Sequence, residues 1–355
     1  MKTLLFLIII SLSIFFWPNL YSNSKVKMSI KSTMKAIKND TPLPSFFISH
    51  GGPNFMYTSP GKTGSEGAYS TLKQLGKKIV NIYKPDYIVV VSAHWQSSGT
   101  DLIEISIPNQ PNDENNLIYD FYNFPKYMYQ EQFKSKTSLS IANQIKQLLT
   151  ENGFKSQLTR RGIDHGVWVP FKVCFSNYTH DSGIQLKDGE LDIDIPIIQI
   201  SLTSNEKDFA KHYQLGQVLN FLRSNNIYDH QHGKYLKSLI LTSGMSVHNL
   251  NDLRVAMTLS KPKDYVQPFN DLLTETLTNT QVGRLEGLQN LLSNHSKLLY
   301  SAHPTLEHFV PIVVSLGIVD ANDEPIKELY NASELSVGWG IYQFGEDKIN
   351  RNQSL

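Results

Sequence analysis

The sequence predicts an α/β fold, a single domain whose central, mostly parallel sheet is flanked by helices. Two observations carry that expectation. Short apolar runs alternate with longer stretches in which apolar residues recur every three or four positions. No repeat, coiled coil or Pro/Gly-rich linker divides the chain after residue 43.

In order, the apolar runs place strands at residues 45–49, 87–92, 102–106, 195–201 and 238–242, with a terminal strand near 335–344. Helical spacing falls at 68–83, 139–152, 209–223, 266–277 and 307–316. Segments 108–116 and 181–192 are rich in Asn, Asp, Gly and Pro and read as loops.

The N-terminus differs in character. Lys2 precedes a mostly apolar stretch from Leu4 to Trp17, then Ser22-Asn-Ser24, so residues 1–24 are expected to be a signal peptide or membrane anchor. Residues 25–42, with five lysines before Asn39, read as a basic linker outside the fold. The catalytic domain is expected at 43–347 and a polar tail at 348–355. Asn-X-Ser/Thr sequons at Asn39, Asn177, Asn294, Asn331 and Asn352 agree with a secreted or endomembrane-lumenal product. A membrane-anchored form and a cytoplasmic one are the alternatives.

Lys plus Arg total 33 against 32 for Asp plus Glu, so no strong field favours nucleic acid, and membrane contact is expected only through an uncleaved N-terminal segment. Cys174 is the only cysteine, which excludes an internal disulfide and a Cys-rich metal site; in its apolar run it reads as a buried small hydrophobe. A metal site must therefore use His, Asp or Glu.

Five histidines stand in apolar or glycine-bearing contexts. His50 follows Ser45-Phe-Phe-Ile-Ser, and His94 follows Val89-Val-Val-Ser-Ala, each where a strand would deliver its last side chain into a crevice at the sheet's carboxyl edge. Two imidazoles so placed can grip one metal. His165 lies in Arg161-Gly-Ile-Asp-His165-Gly, where glycines allow close backbone approach and a general acid or base fits. His248 suits ligation or proton transfer. In Glu307-His308 one residue can face a metal; we favour His308 and place Glu307 behind it. His212 and His303 read as structural, and His180, His230, His232 and His295 as loop residues.

These motifs, in this order, resemble the class III extradiol ring-cleavage dioxygenases, especially the DOPA 4,5-dioxygenase-like subgroup. The carriers are Ser49-His50-Gly51 with Pro53, Ser92-Ala-His94-Trp95, Ile118-Tyr-Asp-Phe121 with Phe124-Pro125, Asp164-His165-Gly166 with Trp168, His248-Asn249 and Glu307-His308-Phe309. The resemblance spans most of residues 44–345. It implies a non-haem metal, Fe(II) for activity or Zn(II) as a bound ion, held by His50, His94 and His308, with His248 as ligand or catalytic group. It further implies His165 as acid/base partner, Tyr119, Asp120, Phe121 and Trp168 as substrate-binding residues, and a small catechol and O2 as substrates. The competing readings are a zinc-dependent hydrolase on the same histidines, which would lower the pKa of a bound water, and a metal-binding relative without turnover.

Overall fold

The computed structural model describes residues 28–57, 64–109, 113–179, 189–279, 283–319 and 323–351, with isolated positions between 182 and 187. Its centre is an eight-stranded sheet. From edge to edge the strands are Ile326–Tyr330, Ile341–Phe344, Ser45–Ser49, Ser238–Gly244, Tyr87–Gln96, Ile197–Leu202, Leu102–Ile107 and Lys155–Arg160. The four central strands are mutually parallel, and antiparallel neighbours flank them.

Alternation along the central strands sends Phe46, Ile48, Ile88 and Val90 into one apolar layer and Phe47, Val89 and Val91 into the other. Both faces are therefore covered, which is why these strands read as continuous apolar runs. Helices Phe209–Ser224 and Val310–Val319 pack on one face, and Glu66–Lys78 with His165–Phe175 on the other. Cys174 is buried in that second layer, where burial pushes its thiol pKa up to about 12, so it is an inert hydrophobe as its sequence context suggests.

Several expectations need correction. Residues 28–42 belong to the fold: Met28, Ile30, Met34 and Ala36 pack against the core, Lys31 exchanges hydrogen bonds with the Asn152 side chain, and Ala36–Lys38 pairs antiparallel with Asn225–Asp229. Lysines between apolar residues made this arm look like a linker. In the C-terminal tail, Lys348–Arg351 forms a helical turn, and Ile349 packs on the core. The expected signal peptide or anchor lies outside the described residues. Among those residues no helix is long and apolar enough to cross a membrane.

No helix was expected at His165, whose flanking glycines read as allowing close backbone approach. It is the first residue of the helix His165–Phe175, which is buried almost throughout. A helix apolar all round shows no amphipathic period, and Pro170 inside it reads as a breaker.

One buried ion pair fixes where the first central strand begins. Arg223, 2% exposed, donates Nη1 and Nη2 to the two oxygens of Glu324 at 2.7 and 2.6 Å and Nε to the Leu43 carbonyl at 2.6 Å. Glu324→Ala leaves this guanidinium buried and unpaired, so it is expected to cost about 3 kcal/mol or more. The fall in urea midpoint measures it; an unchanged midpoint contradicts the assignment.

Candidate metal centre

The carboxyl ends of the parallel strands bring the histidines together. His50 follows Ser45–Ser49 directly, while His94 lies inside the last residues of Tyr87–Gln96, a strand longer than its apolar run suggests. His308 sits in a turn before Val310–Val319, so the expected helix starts three residues late and the helical constraint on the Glu307 and His308 pair does not apply. Gly244 ties two of these segments. Its carbonyl accepts the His50 backbone N–H at 3.0 Å, and a Cβ there would lie 2.2 Å from the His308 carbonyl oxygen, a space only glycine leaves.

Three ring nitrogens converge. His94 Nε2 is 3.1 Å from His50 Nε2 and 3.1 Å from His308 Nε2. Which nitrogens carry protons follows from the opposite side of each ring. His308 Nδ1 is hydrogen-bonded to Glu307 Oε1 at 2.9 Å, and His94 Nδ1 lies 3.3 Å from Asp120 Oδ2, at ion-pair distance though not aligned as a hydrogen bond; carboxylates only accept, so both contacts favour the proton on Nδ1.

His50 is set by a longer chain of cause. Pro170 has no N–H to give the carbonyl of Gly166 four residues earlier. The Ser243 hydroxyl donates to that carbonyl instead. With its one proton so used, Ser243 Oγ must accept from His50 Nδ1, 3.0 Å away. All three Nε2 atoms are then bare lone pairs.

Bare lone pairs 3.1 Å apart repel one another, and a shared cation removes the conflict. Nitrogens bound to one ion at about 2.1 Å lie roughly 3.0–3.4 Å apart, so the spacing fits a common ligand set. The donor set suits a metal equally well. Burial first, then the charge each neighbouring imidazole would add, lowers His50 and His308 well below the ordinary histidine range and His94 to about 3. Neutral imidazoles are the ligating form.

His248 stands against the face of His308, ring centroids 3.6 Å apart and planes 16° from parallel. His248 thus stands outside the set of three Nε2 atoms, although with Glu307 and His308 it forms a second group of donor atoms close enough to hold an ion. His248 belongs to a short strand paired with Val337–Gly338, a feature too small to leave a periodic signal. Burial lowers its pKa to about 4 although Glu307 opposes the shift.

His165 approaches from its helix N-terminus, its ring centroid 4.0 Å from that of His94. Gly166 permits this, since a Cβ there would lie 2.6 Å from Ser92 Oγ and 2.9 Å from His94 Cδ2. Asp120 Oδ1 accepts the His165 backbone N–H at 2.9 Å and lies 3.0 Å from its Nδ1, at ion-pair distance but not aligned as a hydrogen bond. Burial alone would raise the Asp120 pKa; the polar contacts of the His165 ring and backbone N–H and the charges of His165 and His94 outweigh it and hold it at about 2. The carboxylate of Asp164, the N-cap residue, points elsewhere, to Ser92, Gln199 and Arg161.

Of the expected substrate residues, Phe121 lies edge-on to His165, and the Tyr119 hydroxyl is tied to the Glu131 carbonyl. Trp168 is fully buried and donates Nε1 to the Ile118 carbonyl at 2.9 Å, so it supports the loop from beneath rather than touching a ligand. Sequence reasoning missed Ser243, whose only signal is its place at the end of a strand. His212 and His303 are buried as expected, the latter bonded through Nε2 to the Ser246 carbonyl.

The neutral imidazoles have a consequence for stability. Above about pH 6.5 they are neutral in both folded and unfolded chains and contribute no difference. Below it the unfolded chain takes up protons that His94 and His303, at about 3, and His212 and His248, at about 4, refuse. Metal-free protein is therefore expected to lose up to about 1.4 kcal/mol per pH unit for each such group on acidification. A urea midpoint that stays flat from pH 6.5 to 5 contradicts this.

Residues 44–344 match the family model described as the catalytic LigB subunit of aromatic ring-opening dioxygenase. Among curated relatives, the 4,5-DOPA dioxygenase extradiol-like protein of Schizosaccharomyces pombe is 32% identical over 311 residues, covering 84% of this chain and 92% of its own. The 4,5-DOPA dioxygenase extradiol of Beta vulgaris is 31% identical over 304 residues, covering 84% and 96%. A crystal structure of an uncharacterized protein from Escherichia coli K12 superposes with a TM-score of 0.58 at 23% identity over 85% of this chain and 100% of that one, a likeness of fold. With the matched region spanning the sheet and all five pocket histidines, the chain belongs to the LigB family of aromatic ring-opening dioxygenases and is a class III extradiol enzyme, as its motifs suggest.

Proposed function

We propose that the enzyme opens the ring of a small, DOPA-like catechol with O2, using one Fe(II) held by His50, His94 and His308. The observation that carries this reading is the convergence of three Nε2 atoms, each with a proton acceptor near the Nδ1 behind its ring. Three protein ligands on one side of an ion leave positions for substrate and oxygen, as the facial triad of non-haem iron oxygenases does, with a third histidine here in place of that triad's carboxylate. When bound, Fe(II) supplies the place where catechol and O2 are brought together.

The chain's own residues supply orientation and proton transfer. His165, with Nδ1 toward Asp120, presents Nε2 as a base for a phenolic proton. His248, kept neutral by burial, is a second proton acceptor beside His308. Phe121 and the ring of Tyr119 form an aromatic wall that suits a planar substrate.

Ser243→Ala removes the acceptor that fixes the His50 tautomer and is expected to weaken metal binding about 10–100-fold, as loss of an outer partner does. Metal competition with a chelator measures it, and wild-type affinity contradicts the role. The function itself is tested by anaerobic Fe(II) reconstitution followed by a panel of catechols in an oxygen electrode. Oxygen uptake with a yellow ring-opened product is expected; Zn(II)-dependent ester or amide hydrolysis without oxygen uptake overturns the reading.

A further inference from the structure

Asp120 was expected to touch substrate, yet its oxygens face protein. Oδ2 lies 3.3 Å from His94 Nδ1, and Oδ1 accepts the His165 backbone N–H at 2.9 Å while lying 3.0 Å from His165 Nδ1. A backbone N–H cannot reverse its polarity, so whatever occupies the Oδ1 position must accept. A carboxylate at the start of the His165–Phe175 helix also suits the positive end of the helix dipole.

We propose that Asp120 is a positioning residue shared by two functions: one carboxylate holds the Nδ1 protons of His94 and His165 and so turns both Nε2 lone pairs into the pocket. This deepens the function above and rests on its assignment of His94 as ligand and His165 as acid/base group. Metal loading and proton transfer are thereby linked through a single side chain. Both Nδ1 atoms lie within contact distance of the carboxylate, at 3.3 and 3.0 Å, though neither is aligned as a hydrogen bond.

The physics of Asp120→Asn follows from the fixed backbone donor. The amide oxygen must face the His165 N–H, which leaves the amide NH2 facing His94 Nδ1. Two donors cannot meet, so His94 shifts its proton to Nε2 and loses its ligating lone pair. Charge loss alone would also weaken a cation site, so Asp120→Glu is the second variant: it keeps the charge and displaces both oxygens by one methylene.

The experiment measures metal affinity by chelator competition with Fe(II) and with Zn(II), and kcat and KM at saturating Fe(II). Asp120→Asn is expected to weaken both metals about 10–100-fold and to lower kcat by a similar factor, with catechol KM little changed. Asp120→Glu is expected to weaken metal and kcat as well. In a His165→Ala background, Asp120→Asn should lower kcat little further while still weakening the metal. If Asp120→Asn keeps wild-type metal affinity and raises KM, Asp120 binds substrate and the inference is overturned. If Asp120→Glu matches wild type in metal affinity and kcat, charge alone acts and positioning is overturned. Circular dichroism checks folding, and should the Asn variant not fold, the Glu variant decides by the same criteria. A wild-type chain that takes up no metal overturns the underlying function too, and is recognised because it needs no substitution.

Discussion

His94→Ala is expected to leave a protein that retains no metal through gel filtration and has no measurable oxygen uptake with any catechol. His94 Nε2 is the nitrogen that lies 3.1 Å from both other members of the set, so its removal leaves His50 and His308 without their common neighbour. The loss should exceed the roughly 10–100-fold that follows removal of an outer partner, because a direct ligand disappears. The fold should survive, since Ser92, two residues before, keeps its bond to the buried Asp164 carboxylate at 2.7 Å. Metal analysis beside thermal unfolding separates these effects. An alanine variant with one metal ion per chain contradicts the ligand assignment.

His165→Ala is the complementary case. Its ring lies beside His94 and groups with Asp120 rather than with His50 and His308, so the metal should remain, while kcat should fall by a factor on the order of 10² or more, the usual size of a lost acid/base group. Oxygen uptake against metal content distinguishes the roles. Loss of metal in this variant would make His165 part of the ligand system. Retention of both metal and wild-type turnover would remove it from the chemistry.

The two outcomes follow features that differ in how openly the sequence declares them. His50 and His94 were legible because parallel strands buried on both faces leave unbroken Val, Ile and Phe runs, and the chain after such a run lies at the edge where ligands bind. The orientation of the rings was not legible, because it depends on partners distant in sequence: Asp120 for His94, Ser243 for His50. The effect of Pro170 is hidden further still. Its missing N–H acts on Gly166, then Ser243, then His50, and no local pattern announces such a chain.

The choice between Glu307 and His308 was posed for a helix, where adjacent residues diverge. In the observed turn both serve one purpose, the ring converging on the set and the carboxylate holding its outer nitrogen. Residues 28–42 illustrate the opposite failure, since charged residues between apolar ones resemble a tether until tertiary contacts are known. The partners are the Asn152 side chain and one edge of Asn225–Asp229, neither visible from the arm itself.

Anomalous diffraction from crystals loaded anaerobically with Fe(II) tests the central claim most directly. One peak is expected at about 2.0–2.3 Å from the Nε2 atoms of His50, His94 and His308, with His248 stacked alongside. A peak held by another set of residues, or none at the iron edge from protein that has been fully loaded, contradicts the account.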